Sequence, residues 1–377
     1  MAAYTTIDDP SAHFQSIRWT GNAASTRDLT FDGNSDLQPD ATMWFRENGV
    51  QVRLLTDSSR SWESGNKELI WHSNSQEGNT NAVNTGSYGW LAGHSSLTNG
   101  LRSYVSSSYT NSNGGKYYAA SWKLNGSTVA NNTDGNITSS VQVNSTTKQS
   151  IITYTGNGSI NQTIGHGLGV TPAWWFVKSR STTGYPLVGS SYYFGGTSNY
   201  LGLHSYEPTT ENNNIWGDSP ANTSTIRVSN NSNINANGVT YVAYVFANTQ
   251  GFHKHGKYKG NGSTNGPFIY TGFKPRAILT KRLDGAAGSW VWHDSRMGQS
   301  TGSGTSSGTD INVASANQVM ESNSNYMDDY GDIDFLSNGF KVRDTLTNVN
   351  LNNATYVYFA WAENPFVTST GVPTTAR

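Results

Sequence analysis

The sequence predicts an all-β protein built of three tandem β-sandwich-like units with low helix content. Composition is the first observation behind this. The 377 residues include 40 Gly, 12 Trp, 20 Tyr and 13 Phe, while only 13% are charged. Short β-branched and aromatic runs between polar turn residues suit sheets joined by many loops. The aromatic rings supply the bulky apolar surface that such a polar chain needs for packed cores. The second observation is one stretch that occurs three times. The third is that no window shows sustained helical periodicity with caps.

The clearest copy of the stretch is 151–180. Ile151-Ile152-Thr153-Tyr154 leads into Gly156-Asn157-Gly158-Ser159, then Thr171-Pro172, then Trp174-Trp175-Phe176-Val177. It reads as strand, Gly/Asn turn, Pro-led turn and second strand. A weaker copy starts at Ile17-Arg18-Trp19-Thr20-Gly21-Asn22 and reaches Pro39 and Met43-Trp44-Phe45. A third starts at Tyr258-Lys259-Gly260-Asn261-Gly262 and reaches Pro275 and Ile278-Leu279. From turn Asn to Pro the spacing is 17, 15 and 14 residues. Asp57-Ser58 and Asp294-Ser295 follow the proline in two copies, and the middle copy has Gly189-Ser190 there. Each copy closes on an aromatic strand, at Tyr117-Tyr118-Ala119-Ala120-Ser121-Trp122, Tyr241-Val242-Ala243-Tyr244-Val245-Phe246 and Tyr356-Val357-Tyr358-Phe359-Ala360-Trp361. Four landmarks in one order, three times, predict triplication of a unit of roughly 110 residues, a common domain size.

In chain order, residues 1–11 are a short polar lead whose Asp8-Asp9-Pro10 marks a turn. Unit 1 spans 12–125. Residues 126–148 are a low-complexity polar segment that cannot bury much, a linker or an extended surface strand. Unit 2 spans 149–251, and unit 3 follows at 252–366 with almost no linker, so these two should pack closely. Residues 367–377 form a polar tail.

Charge and composition exclude several function classes. Net charge is −1 and the pI is about 6.7, so there is no basic field for nucleic acid. No apolar stretch approaches the roughly 20 residues that cross a bilayer, so membrane insertion is not expected. The N-terminus lacks a basic region followed by an apolar core and does not read as a secretory signal. With no cysteine, there are no disulfides, thiolate catalysis or Cys-based zinc sites. Synthesis and folding in a cytosol are expected, and any later life outside a cell must rest on packing.

Five constellations could carry chemistry. Trp174-Trp175 with Trp216, Tyr192, Tyr193 and Tyr200 suggest an aromatic platform for glycans, weighed against a core or interface role for the same rings. Trp174 and Trp175 are adjacent on a strand and must face opposite ways, so one is core. Asp328, Asp329, Asp332 and Asp334 surround Gly331 and could hold Ca²⁺, although no EF-hand spacing is present; no other cofactor is expected. His253 and His255 could share one strand face and bind a metal. His293-Asp294-Ser295 contains triad residue types, but neighbours on a strand cannot relay to one another, so it reads as a structural turn. Asp294 and Asp334 are the carboxylates to test for a depolymerase.

Several phrases resemble a family of virion structural proteins from tailed phages of marine bacteria and cyanobacteria. They are Tyr154-Thr155-Gly156-Asn157-Gly158-Ser159, the runs 266–275 and 333–343, Thr355-Tyr356-Val357-Tyr358-Phe359-Ala360-Trp361, and the ending 371–377. The resemblance covers nearly the whole chain, and unit 1 departs most. It supplies no catalytic motif. What it implies is a virion location in a tail fibre, appendage or capsid surface. The expectation is then a non-enzymatic protein that contacts other tail or capsid proteins, and host surface polysaccharide in an adhesion role. A homo-oligomer, with a trimer favoured, would form through aromatic and edge-strand contacts.

Overall fold

Alternation along a few aromatic strands sets the architecture. The computed structural model describes residues 4–47, 53–60, 68–71, 73–78, 94–103, 110–193, 199–203, 210–211, 215–285, 288–296, 313–314, 317–319 and 332–374. Strand accounts for 46% and helix for 4%, so the chain is all-β. Every ladder between its named strands is antiparallel.

Three large sheets share one order of pairing. In the first, Phe14–Thr20 pairs with Lys116–Trp122, which pairs with Ala41–Arg46, then Leu54–Asp57, then Leu69–Ile70. In the second the order is Gln149–Thr155, Thr240–Phe246, Trp174–Ser179, Leu187–Ser190 and Asn199–Gly202. In the third it is His253–Lys259, Thr355–Pro365, Phe273–Arg282, Val291–Asp294 and Asn317–Val319. The opening and closing strands of each segment are therefore neighbours, and the closing strand lies inside its sheet. Residues 126–148 do not stand apart as a linker. Ser139–Asn144 pairs with Gln149–Thr155 and Ser127–Asn132 with Ser139–Asn144; with Thr210–Glu211 beyond Asn199–Gly202 at the other edge, the middle sheet has eight strands.

Each closing strand is covered on both faces, which explains why its sequence reads as a nearly unbroken apolar run. Tyr118, Ala120 and Trp122 on one strand, Val242, Tyr244 and Phe246 on the second, and Val357, Phe359 and Trp361 on the third all enter one shared core. Their alternate neighbours face three separate outer cores: Tyr117 and Ala119; Tyr241, Ala243 and Val245; Tyr356, Tyr358 and Ala360. Each outer core is roofed by a small sheet. Arg27–Leu29, Gly100–Ser103 and His94–Leu97 form the first. Gln162–Gly165 and Thr225–Val228 form the second. Phe268–Tyr270, Gly339–Val342, Ile333–Leu336 and Val313–Ala314 form the third. Within the shared core, Trp122 and Trp361 rings meet at 5.6 Å, Phe14 lies between them, and Phe246 stands 6.2 Å from Trp361. Rings of this size dominate core energetics.

The outer cores are locked by a polar clasp that follows each opening strand. Asn111, Asn235 and Asn350 are fully buried, and their Oδ1 atoms accept from the backbone N–H of Asn22, Asn157 and Asn261. Their Nδ2 groups donate back to the Oδ1 of the same three residues at 3.0, 3.2 and 3.1 Å. The glycine before each clasped Asn is forced by close approach. A Cβ on Gly21, Gly156 or Gly260 would sit 2.0–2.4 Å from a carbonyl oxygen of the facing loop. The ring pairs Trp19–Tyr117, Tyr154–Tyr241 and Tyr258–Tyr356 stack beside the clasps at 5.5, 5.2 and 5.0 Å.

Both terminal segments are tied down. Ile7 is buried in the shared core, Thr5 Oγ1 donates to the Gln250 carbonyl, and Tyr4 OH donates to the Gly272 carbonyl. Ser369 N–H donates to Asp8 at 2.6 Å. The lead therefore buckles the first segment onto the other two.

Candidate functional site

The small sheet of the middle segment has two strands where the others have three and four. In the first and third small sheets an Asn-Gly turn, Asn99-Gly100 or Asn338-Gly339, feeds a hairpin strand onto the free side of the roof. Thr225–Val228 has no such strand among the described residues. Asn222 turns the chain instead, its Oδ1 accepting from Ser224 and Thr225 N–H, and the segment 215–221 crosses the gap. Ile215 anchors that segment, its carbonyl accepting from Ser229 N–H at 2.9 Å. Trp216 then drops into the space, only 3% exposed.

The filling is incomplete, and a cavity of about 280 Å³ remains. Trp175, Ser190, Ser191, Trp216, Pro220 and Arg227 surround it, with Ser219 and Ala221. The Trp175 and Trp216 rings meet edge to face at 5.4 Å and 82°. Both indole N–H groups are buried without an acceptor among the described residues. At the rim, Arg227 Nη1 lies 3.1 Å from Asp218 Oδ1, and Asn161 Nδ2 donates to Asp218 Oδ2. Gly189 is part of the construction: a Cβ there would stand 2.4 Å from the Trp175 ring, so glycine lets the indole lie against its neighbouring strand.

The residues expected to form an aromatic platform are distributed differently. Trp216 pairs with Trp175 rather than with tyrosines. Tyr192 is 53% exposed, directly after the cavity residues Ser190 and Ser191, and its ring meets Tyr193 at 5.9 Å. Tyr193 turns toward the third segment, edge-on to His255 at 4.6 Å. Tyr200 is half-buried on the outer core of the middle segment. Trp174 and Trp175 do face opposite ways, one into the shared core and one into the outer core. The sequence names Trp174-Trp175 as part of the platform without deciding which of the two is core; Trp175 is the one beside Trp216. The usable signals were the missing Asn-Gly turn before Thr225 and the small Gly189 beside a tryptophan.

The remaining constellations meet partners within the fold wherever they are described. Of the acidic group, Asp328 and Asp329 lie outside the described residues. Asp334 pairs with Arg343 at 2.5 Å, and Asp332 starts the same strand region. Among the described residues no three metal-ligating side chains converge. His253 and His255 do share a face, but it is an interior one. His253 Nε2 accepts from Trp174 Nε1–H at 3.0 Å, and His255 stacks on Phe359 at 4.4 Å. Burial pushes both imidazoles down to about 3. His293 and Asp294 end a strand on opposite faces. His293 is fully buried and also pushed down by burial to about 3. The buried Asp294 accepts from Tyr118 OH at 2.6 Å.

That last contact belongs to a set of three. Asp57, Ser190 and Asp294 each end the fourth strand of a large sheet, and each reaches the neighbouring segment. Asp57 accepts from Tyr244 OH, Ser190 Oγ lies 3.0 Å from His255 Nε2, and Asp294 binds Tyr118. The register places Ser190, not Gly189, opposite the position of the two aspartates. Charge gathers at two of these junctions. Arg60 binds Asp57 at 2.7 Å, both fully buried, and Glu77 joins Arg60 to Arg180 at 3.2 and 2.8 Å. At the other, Arg18 grips Glu47 through two 2.7 Å bonds and donates to the Arg296 carbonyl. Burial raises the Glu47 carboxyl despite that partner.

Lys178 is a buried cation with no carboxylate partner among the described residues. It is 2% exposed and donates to the carbonyls of Ser75 and Gly184 at 2.6 and 2.8 Å. Burial brings its amine down to about 7.

Residues 9–365 match the family described as a domain of unknown function, DUF7483, and the chain belongs to that family. No curated protein and no solved structure matches it.

Proposed function

We propose that the chain is a non-enzymatic structural protein of a bacteriophage particle, part of a tail fibre, appendage or outer surface, made of three copies of one unit. The shared aromatic core is the observation that carries this reading. Three sheets contribute their closing strands to one interior, and a polar residue at each junction reaches the next segment. A cysteine-free protein that persists outside a cell must gain its durability from such packing, since no disulfide contributes. The phage-like phrases at 154–159, 266–275, 333–343, 355–366 and 371–377 support the setting.

A homo-oligomer remains part of the proposal, with a changed interface. The aromatic faces are occupied within the chain, so contacts between copies, a trimer favoured, fall to sheet edges. Ser127–Asn132 offers an edge with five exposed, uncharged residues. Other contacts would be with tail or capsid proteins.

Immunogold electron microscopy of purified particles tests the proposal. Gold on fibres or tail tips supports an appendage, even labelling of the head supports a capsid decoration, and absence from intact particles overturns the virion reading.

A further inference from the structure

We propose that the cavity lined by Trp175, Trp216, Pro220 and Arg227 binds one pyranose ring of a neutral glycan. The inference stands on the middle segment alone, whether or not the chain is carried on a particle. Unlike its two counterparts, this outer core lacks the hairpin strand that would close it, and the bridging segment 215–221 leaves about 280 Å³ open. That space is of the order needed for a single sugar ring and is small for most drug-sized ligands.

The chemistry of the walls selects the class. The indoles of Trp175 and Trp216 form part of an apolar wall with Pro220 and Ala221, which suits the C–H face of a pyranose. At the mouth the Arg227–Asp218 pair offers donors and acceptors together with no net charge. Such a rim matches vicinal hydroxyls and gives an anionic ligand no unpaired cation. Ser191 and Ser219 add hydroxyls around the opening. A saturated lipid tail would lie against the Arg227–Asp218 rim without hydrogen-bonding to it, so it fits less well.

Indole N–H resonances of the full chain, recorded by ¹H–¹⁵N NMR, provide the test. The probes are free glucose, galactose, mannose and N-acetylglucosamine, with glucuronate as the anionic control. At least one neutral sugar is expected to shift the Trp175 and Trp216 signals saturably and leave the other ten tryptophans in place. Ala221→Leu, which fills the cavity from its buried wall, should weaken binding by about tenfold or more. Arg227→Met alters only the rim and keeps the core, so it remains informative if Ala221→Leu does not fold; it should weaken binding several-fold. The proposal is overturned if no neutral sugar moves these two signals. It is equally overturned if glucuronate binds as tightly, or if both variants bind like the parent chain.

Discussion

Two of the three junctions between segments are built around buried carboxylates, and the third is built around histidines. Asp57 with Tyr244 and Arg60, and Asp294 with Tyr118, use charge-assisted hydrogen bonds in a dry interior. At the third, Ser190, His255, His253 and Trp174 make contacts between neutral groups, with Phe246, Phe359 and Trp361 around them. One geometric position, the end of the fourth strand, thus carries two kinds of chemistry. A carboxylate is tolerated where a tyrosine hydroxyl and an arginine satisfy it. Where the neighbour is an imidazole kept neutral by burial, a serine suffices.

The largest effect should come from what the junctions share. Trp361 lies within ring-contact distance of Trp122, Trp174, Phe246 and Trp292. Trp361→Ala should cost about 3–5 kcal/mol in equilibrium denaturation. A loss below about 1 kcal/mol would mean that the shared core is not a principal source of stability.

Removing one hydroxyl at a time sharpens the contrast. Tyr244→Phe and Tyr118→Phe each leave a buried carboxylate short of a donor and should cost about 1.5–3 kcal/mol. Ser190→Ala at the neutral junction should cost about 0.5–1.5 kcal/mol. Equal losses at all three sites would erase the distinction drawn here.

Acid should discriminate in the opposite direction. Burial brings His253 and His255 at the neutral junction down to about 3 in the folded chain, against about 6.5 for a free side chain. A folded value below the unfolded one means that unfolding takes up protons. Stability should therefore be intact above about pH 6.5 and fall toward pH 3, by ~1.4 kcal/mol per pH unit for each histidine. His255→Phe should flatten this decline, as seen in denaturation midpoints measured across that window. An unchanged slope would place His255 outside the acid response.

The smallest effect concerns the clasps. Ala23 holds φ 57° where the other two clasps have Gly158 at 70° and Gly262 at 65°. Relief of a left-handed alanine predicts that Ala23→Gly stabilises the chain by about 1 kcal/mol. Measured destabilisation would show that Ala23 carries no such strain.

The fold class was readable because its signals are local. Gly-Asn turns, β-branched runs and closing aromatic strands each depend on near neighbours in sequence. The clasp Asn22, Asn157 and Asn261 stood inside the most legible motif, but their partners Asn111, Asn235 and Asn350 lie 78–89 residues away and carry no local mark. Residues 126–148 looked like a linker because an exposed edge strand buries little and so needs few apolar side chains. His253, His255 and Asp294 drew attention as reactive types, yet their environment is set by other segments. Trp216 drew attention because a tryptophan in an Asn-rich loop needs a reason, and Trp174-Trp175 because the two are adjacent; that Trp175 packs against Trp216 depends on the strand register and was not legible.

Scanning calorimetry of the whole chain tests the central claim most directly, that three sheets form one cooperative body around a shared core. The account predicts a single transition whose calorimetric and van't Hoff enthalpies agree. Two or three resolved transitions, or a calorimetric enthalpy well above the van't Hoff value, would show that the segments unfold independently and would contradict it.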